Sequence, residues 1–132
     1  MRYLILSFAV VLGLVGPLHA NDGARAVISA QIEAFLAEDV DRAYNYASPF
    51  IQDKFGSPER FGDMVREGYP MVWQPSDVVF LEAEEIGGSL WQSVSIRDVS
   101  GKGWIVDYEM IESEGGWLIN GVRVRRAPES LA

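Results

Sequence analysis

Three glycine-containing turns divide the second half of the chain, and they constrain its fold more than any other feature. They are Gly87-Gly88, Ser100-Gly101-Lys102-Gly103 and Ser113-Glu114-Gly115-Gly116. Short loops of this kind between apolar stretches are typical of β-hairpins, because glycine readily adopts the positive φ values that such turns need. We therefore predict an antiparallel meander with strands at Asp77–Ile86, Leu90–Val99, Trp104–Glu112 and Trp117–Arg125.

Alternating side chains assign the faces of the two central strands. Apolar residues share one face, and they are Val94, Ile96, Trp104, Val106, Tyr108 and Met110. Because successive side chains point to opposite faces, Asp107 and Glu109 lie on the other face. Matching apolar positions across the hairpin restricts its register to steps of two residues. This register predicts that Arg97 lies directly or diagonally opposite Asp107 or Glu109.

Helical periodicity and capping signals occupy the first half of the chain. The predicted helices are Ala24 to about Glu38-Asp39, Val40–Ala47, Pro49–Phe55 and Pro58–Glu67. Asp22 is the expected N-cap of the first helix. The third and fourth begin at Ser-Pro pairs, which place an N-cap before a proline at the first helical position. Gly56 and Gly68 follow these two helices as stop signals.

A proline-bracketed segment joins the helices to the strands. Tyr69–Pro75 is predicted to be extended, as an edge or crossing strand. Helices that precede a run of strands are typical of the α+β class, in which the helices pack on one face of the sheet. We therefore predict an α+β fold with N-terminal helices on an antiparallel sheet of four or five strands.

The first twenty residues have the order of a secretory signal peptide. Arg2 precedes an apolar run of 12 residues, Leu4–Val15, and Leu18-His19-Ala20 fits a cleavage site. The run is shorter than the ~20 residues of a membrane-spanning helix, although an uncleaved anchor is the alternative. We predict cleavage of residues 1–20, a single α+β domain over 21–132, a periplasmic or secreted location and no stable membrane insertion.

Composition excludes several kinds of chemistry. The chain has no cysteine, and its only histidine, His19, lies in the predicted leader. Thiol catalysis, disulfides, His-based triads and His-ligated metals are therefore excluded from the mature protein. The net charge of −8 disfavours nucleic acid as a partner. Phosphate-binding and dinucleotide motifs are missing, so we predict no cofactor and no metal.

Four stretches of the sequence resemble an exported bacterial family called domain of unknown function 4864. They are QIEAF at 31–35, ASPFIQ at 47–52, FGSPERF at 55–61 and MVREGYPMVW at 64–73, and the resemblance covers about residues 25–125. The order of elements, ending in Gly116–Val122, also resembles the nuclear transport factor 2-like superfamily. The superfamily implies a cystatin-like cone, in which a curved sheet wraps around the helices and encloses a pocket.

These resemblances imply a fold but no activity. The narrower family brings no established reaction and no catalytic residues, so no role passes to a residue of this chain. The superfamily includes isomerases, dehydratases and non-catalytic binding or dimerising proteins, and a shared fold does not settle function.

Aromatic side chains supply the predicted ligand site. We assign ligand binding to Tyr44, Tyr69, Trp73 and Tyr108, because sites for small molecules are commonly lined by aromatic residues with a few polar groups. Tyr69 and Trp73 lie on the proline-bracketed segment, where the mouth of a cone would be. The alternative is that these residues are ordinary core and sheet-surface aromatics.

Asp107, Tyr108 and Glu109 are the best candidates for acid–base catalysis. Ketosteroid isomerase combines an Asp base with a Tyr and a protonated Asp. Adjacent strand residues face opposite ways, however, which argues against a shared pocket in this chain. We therefore assign no catalytic residue and lean towards a protein that is not an enzyme.

Three charged clusters have ordinary structural interpretations. In chain order they are Glu38/Asp39/Asp41, Glu82/Glu84/Glu85 and Arg123/Arg125/Arg126. The first cluster lacks the glycine turn and the distal Glu of a calcium-binding loop and fits helix capping. The second cluster is expected to protect an edge strand from pairing with another strand. The third cluster either anchors an acidic ligand or lies on a solvated strand.

Three hypotheses about function result. The leading one is a non-enzymatic exported module that binds a small apolar ligand in a cone pocket. The second is a protein-interaction module, such as a homodimer that forms through the outer sheet face, where Trp91 would project. The third is an isomerase or lyase that uses only a carboxylate and a tyrosine.

Overall fold

Five helices precede four strands in the computed structural model, which describes residues 7–129 and the side chains of 22–129. The elements are α1 (Ser7–Leu36), α2 (Val40–Asn45), α3 (Pro49–Phe55), α4 (Pro58–Gly68), α5 (Pro70–Trp73), β1 (Asp77–Ile86), β2 (Ser89–Arg97), β3 (Gly103–Ser113) and β4 (Gly116–Arg126). This order confirms the α+β class. The first six residues of the predicted leader, and all of its side chains, lie outside the described residues. None of the described helices has the length and apolar character that crossing a membrane requires.

Local capping sets the bounds of α3 and α4, as the sequence predicts. The side chain of Ser48 accepts a hydrogen bond from the backbone N–H of Ile51, and Ser57 caps α4 in the same way. Gly56 follows α3 in the left-handed conformation, with φ of +83°. Helix α4 continues through Gly68, one residue beyond its predicted end.

Both predicted limits of the first helix are wrong. Helix α1 runs through Asp22, so this residue lies inside the helix and is not its N-cap. The helix ends at Leu36, before the predicted end, because Glu38 turns the backbone with φ of +58°. The N–H of Asp39 then donates to the carbonyl of Ala34 at 2.8 Å, a closing bond typical of helix C-termini.

The segment after α4 is helical, which corrects the prediction of an edge or crossing strand over Tyr69–Pro75. The N–H of Trp73 donates to the carbonyl of Tyr69 at 3.0 Å and closes the single turn of α5. Pro70 begins this turn, because the φ of proline already suits the first helical position. The two central side chains of α5 are buried in the core, so tertiary packing outweighs the extended preference of the proline bracket.

The strands form an open antiparallel sheet in the order β1-β2-β3-β4. Val94 pairs with Val106, which confirms the predicted faces and the two-residue register. A register shift interrupts β1 between Phe80 and Ala83, and a second shift interrupts the pairing of β3 with β4. Such β-bulges bend the strands that carry them.

The predicted neighbourhood of Arg97 is wrong. Arg97 pairs with Gly103, and therefore lies beyond the reach of direct or diagonal pairing with Asp107 or Glu109. The turn closes immediately after Arg97, because the N–H of Asp98 donates across it at 2.9 Å. A turn that closes this early selects one register among those that the alternation of side chains allows.

The core lies between α1, the short helices and the inner face of the sheet. Its largest fully buried side chains include Tyr108, Phe35, Ile28, Ile96 and Met110. The chain after α2 also touches the sheet, since Ala47 forms a parallel bridge with Ile119 of β4. This bridge links the helical layer to the sheet edge without adding a fifth strand among the described residues.

Candidate functional site

A cavity of about 270 Å³ lies between the short helices and the inner face of the sheet. Its buried wall includes Phe35 of α1, Val65 of α4 and Tyr108 of β3. Two exposed residues of α3, Phe50 and Lys54, form its mouth. The wall is mostly apolar with a few polar groups, which is the usual character of a site for a small molecule.

Contacts between the start of α3 and β4 hold the mouth in place. The hydroxyl of Ser48 donates to Oδ1 of Asn120 at 2.7 Å and accepts the N–H of Ile51 at 3.3 Å. The backbone N–H of Ser48 donates to the carbonyl of Ile119 at 2.8 Å, and the N–H of Ile119 donates to Tyr46 at 2.9 Å. Helix α3 is therefore anchored to the sheet at its N-cap, which positions its exposed face at the cavity.

Tyr108 is the most unusual polar residue of the wall. Its side chain is fully buried, and its hydroxyl has no hydrogen-bond partner in the described part of the chain. Burial raises the pKa of this hydroxyl above its ordinary value, so it remains protonated and able to donate near neutral pH. Leaving a buried hydroxyl unpaired costs about 1–3 kcal/mol.

Two amide side chains add polar atoms to the wall. Nε2 of Gln31 donates to the carbonyl of Ala43 at 3.0 Å, while Oε1 accepts no hydrogen bond from the described residues. Nδ2 of Asn120 donates to Glu109 on the outer face at 3.4 Å. Among the described residues, Lys54 is the only one in the wall that carries a charge at neutral pH.

The structure brings two of the four predicted ligand-binding residues to the cavity. Tyr69 and Tyr108 lie in its wall, whereas Tyr44 and Trp73 lie behind the wall and support it. The hydroxyl of Tyr44 donates to a carbonyl of α3 at 2.7 Å. The ring centroid of Trp73 lies 5.5 Å from that of Phe35. These two residues therefore pack against the wall rather than line the cavity.

The wall also contains three polar residues that were not predicted from the sequence: Gln31, Lys54 and Asn120. Phe50 and Lys54 are four residues apart and share one face of a helix, so their spacing was an available signal. The place of Asn120 depends on the register shift between β3 and β4, which the alternation of side chains does not reveal. Gln31 belongs to the buried face of α1 and has no distinguishing neighbour in sequence.

Tyr108 is separated from its acidic neighbours, as the alternation of the strand predicts. Asp107 lies on the outer face, where it accepts the hydroxyl of Ser93 at 2.6 Å and pairs with Arg125 at 3.2 Å. Glu109 shares that outer face, and neither carboxylate belongs to the cavity wall. The geometry therefore gives the Asp107-Tyr108-Glu109 set no common cavity for acid–base chemistry.

The outer face carries a second hollow, which is polar and measures about 170 Å³. Trp91 lies there, as expected, with the guanidinium carbon of Arg123 4.4 Å from its ring centroid. Glu82 and Glu84 enter the hollow from the β1 edge, and Arg123 and Arg125 enter it from the β4 edge. The two edges of the sheet therefore carry opposite charges on this face.

One residue of the first acidic cluster, Asp39, caps a helix. Oδ1 of Asp39 accepts the N–H of Arg42 at 3.2 Å and caps α2, as the sequence predicts. The described residues contain no group of three or more acidic or imidazole side chains arranged to hold a metal ion.

Comparisons with known proteins assign residues 18–132 of the chain to a family. No curated protein matches it closely enough to count as a relative. One family model, described as Domain of unknown function (DUF4864), matches residues 18–132. The match includes all four strands and every residue of the cavity wall. The chain therefore belongs to the DUF4864 family.

Proposed function

We propose that this protein is an exported binding module that holds a small, largely apolar ligand in the cavity between α3, α4 and the sheet. The observation that carries the proposal is an apolar cavity lined in part by Tyr108, a buried residue whose hydroxyl has no hydrogen-bond partner among the described residues. An unfilled cavity and an unpaired polar group each destabilise a folded protein. A ligand that combines an apolar body with one polar atom would remove both costs.

The cavity volume limits the size of the ligand. An engineered apolar cavity of ~150 Å³ binds benzene, and the cavity in this protein measures about 270 Å³. The expected ligand therefore has roughly twice the bulk of benzene, on the order of ten non-hydrogen atoms. Nucleotides and other large cofactors exceed this space.

Burial of apolar surface supplies most of the expected affinity. Each Å² removed from water contributes about 25 cal/mol, so burying about 200 Å² of ligand yields about 5 kcal/mol. The loss of translational and rotational freedom on binding offsets part of this gain. A hydrogen bond to Tyr108 adds about 0.5–1.5 kcal/mol. Tyr69, at the half-buried part of the wall, is expected to contact the same ligand.

The proposal includes export and a place in the nuclear transport factor 2-like superfamily. Export is supported by the order of Arg2, the apolar run Leu4–Val15 and the small residue Ala20. The superfamily is supported by helices that precede a bulged antiparallel sheet and leave a cavity against its inner face. In this proposal residues 21–132 form the mature domain, located in the periplasm or outside the cell.

Native mass spectrometry of the protein purified from its own cell envelope tests export and binding together. The expected spectrum contains a chain that begins near Asn21 and carries an excess mass, which is lost on denaturation. A chain that still begins at Met1 would contradict export. A processed chain with no excess mass would contradict a retained ligand.

Titration calorimetry with 1-octanol tests the cavity directly. Ile51→Trp places a large ring in the cavity wall, whereas Ile111→Trp adds the same bulk at a half-buried position outside that wall. Wild type and the Ile111 variant are expected to bind with a negative change in heat capacity, the marker of apolar burial. The Ile51 variant is expected to bind about tenfold more weakly or not at all. Equal binding by all three proteins would contradict the proposal.

A homodimer that forms through the outer sheet face is the second candidate function. Val79 and Ile86 of β1 are 50 % and 54 % exposed on this face. A twofold axis parallel to the strands would set the acidic β1 edge of one copy over the basic β4 edge of the other. Charge complementarity of this kind determines register and association rate in protein interfaces.

Sedimentation velocity distinguishes this candidate from a monomer. Arg123→Glu reverses one charge on the basic edge, and Lys102→Glu makes the same change in the turn between β2 and β3. Wild type and the Lys102 variant are expected to dimerise, whereas the Arg123 variant is expected to stay monomeric. Wild-type protein that remains monomeric at high concentration would contradict the candidate.

A further inference from the structure

The charge of the ligand is indicated by Lys54, the one charged residue among the described residues of the cavity wall. We infer, on the basis of the proposed function, that the ligand is a small amphiphilic monoanion of the carboxylate class. Its anionic group lies at Lys54 in the mouth, and its apolar body lies inside the cavity. The inference rests on the partners, surroundings and position of Lys54.

Lys54 has an uncompensated charge at the entrance to an apolar space. Its ammonium lies 5.7 Å from the ring centroid of Phe55, which also belongs to the cavity wall. The ion pairs formed by described residues use other cations, and no described carboxylate lies within 4.0 Å of this ammonium. The ammonium is therefore available to a ligand.

The sign of this charge is opposite to that of the whole chain. The sequence has 19 acidic and 11 basic residues, only two of which are lysines, Lys54 and Lys102. A strongly acidic protein repels anions over most of its surface. The described residues of the cavity wall include this one cation and no acidic residue. The mouth is therefore a favourable place for an anion to bind.

Phe50 gives the mouth an amphipathic character. It lies four residues before Lys54 on the same face of α3, and 63 % of its side chain is exposed. An exposed aromatic ring beside a cation matches the junction between an apolar chain and a carboxylate. The cavity volume of about 270 Å³ suits one short chain and excludes a two-chain lipid.

Three probes of equal chain length separate charge from apolar contact: octanoate, 1-octanol and octylammonium. Binding is measured by titration calorimetry to wild type, Lys54→Met, Lys54→Arg and Lys102→Met. Lys102 is the matched control, because it lies in the turn between β2 and β3 and outside the cavity wall. The arginine variant keeps the positive charge at the mouth and is expected to behave as wild type does.

Wild type is expected to bind octanoate more tightly than 1-octanol, and octylammonium most weakly. Lys54→Met is expected to reduce the preference for octanoate over 1-octanol about two- to fivefold, the range for a single exposed ion pair. Added salt should reduce the preference for octanoate in wild type and have little effect in Lys54→Met.

The outcomes distinguish this inference from the proposed function. Equal affinities of wild type for octanoate and 1-octanol, both unchanged in Lys54→Met, would overturn the inference and leave the proposed function intact. Failure of all three probes to bind wild type would overturn both. If Lys54→Met abolished cosedimentation with phosphatidylglycerol vesicles but left octanoate binding unchanged, Lys54 would serve a membrane surface, and the inference would be wrong.

Discussion

Arg25 of α1 contacts Gln92 of β2 across the helix–sheet interface, with 3.3 Å between Nε and Oε1. Gln92 is fully buried, and its Nε2 donates to the carbonyl of Leu81 at 2.9 Å. The same carbonyl accepts a hydrogen bond from Arg25 at 3.0 Å. Leu81 lies at the register shift of β1, where backbone groups leave the regular ladder. The side chains of Arg25 and Gln92 therefore supply the hydrogen bonds of a backbone carbonyl at the bulge, and they do so from inside the protein.

Replacing Gln92 should destabilise the fold. Gln92→Leu removes one hydrogen-bond partner from the Leu81 carbonyl and one from the Arg25 guanidinium. We therefore expect a loss of about 1–3 kcal/mol in the free energy of unfolding. Urea denaturation followed by tryptophan fluorescence measures this loss. Gln74→Leu is the control, because Gln74 is half-buried and its side chain donates a single hydrogen bond, of 3.2 Å, to the carbonyl of Phe35. A smaller effect at position 92 than at position 74 would contradict the role of the bulge.

The packing of α4 on α2 requires a glycine at position 62. A Cβ at Gly62 would lie 3.1 Å from Cβ of Val40 and still closer to one of its methyl groups. Gly62→Ala is therefore expected to cost about 1–3 kcal/mol through overpacking, despite the higher helix propensity of alanine. Gly68→Ala in the same helix meets no atom within 4 Å. Thermal unfolding should show a lower Tm for the first variant only, and equal Tm values would refute the close contact.

Asp98 should make the stability of the β2–β3 turn depend on pH. The side chain of Ser100 and the indole N–H of Trp104 donate to this carboxylate and hold its pKa well below its usual range. The stabilisation is therefore complete above the unfolded value of about 3.9 and is lost as the pH falls towards the folded value. Asp98→Asn is expected to lower the Tm at pH 7, and the difference from wild type should shrink below about pH 4.

A matched substitution tests whether this pH dependence belongs to Asp98. Asp53→Asn changes an exposed carboxylate on α3 for which no hydrogen bond to another described residue exists. Its Tm is expected to follow that of wild type at every pH. A gap between wild type and Asp98→Asn that stays constant down to the lowest pH would show that the turn does not depend on the ionised carboxylate.

Tyr108→Phe should have opposite effects on stability and binding. Removing the unpartnered hydroxyl is expected to raise the free energy of unfolding of the ligand-free protein by about 1 kcal/mol. It should weaken 1-octanol binding about two- to tenfold, because one hydrogen bond to the ligand is lost. Chemical denaturation and calorimetry on the same samples measure the two effects. A variant that is less stable yet binds equally well would remove Tyr108 from the site.

The stability difference between Tyr108→Phe and wild type should depend on pH in the alkaline range. Burial raises the pKa of Tyr108 above its ordinary value, so the stabilisation by the neutral form is present below the unfolded value of about 10 and is lost as the pH rises above it. The stability advantage of Tyr108→Phe over wild type should therefore grow above about pH 10. A constant difference across that range would contradict the buried, neutral state of the hydroxyl.

Some elements could be predicted to the residue and others could not. Helix α3 has the predicted bounds because its start and stop depend on Ser48, Pro49 and Gly56, which act within one turn of the chain. The prediction of an extended segment around Pro70 is wrong, because burial of α5 in the core outweighs a local preference. The predicted pairing of Arg97 with Asp107 or Glu109 is wrong for a similar reason, because the turn after β2 selects the register between β2 and β3.

The sequence by itself determined the α+β class, the order of four strands joined by three turns and the separation of Tyr108 from Asp107, because these depend on capping, turns and alternation between neighbouring residues. Only the tertiary structure decided which residues form the cavity. Lys54 of α3 and Tyr108 of β3 both line it, while Tyr44 and Trp73 lie behind the wall. Such contacts join distant parts of the chain, and a pattern of local periodicity carries no information about how separate elements pack together.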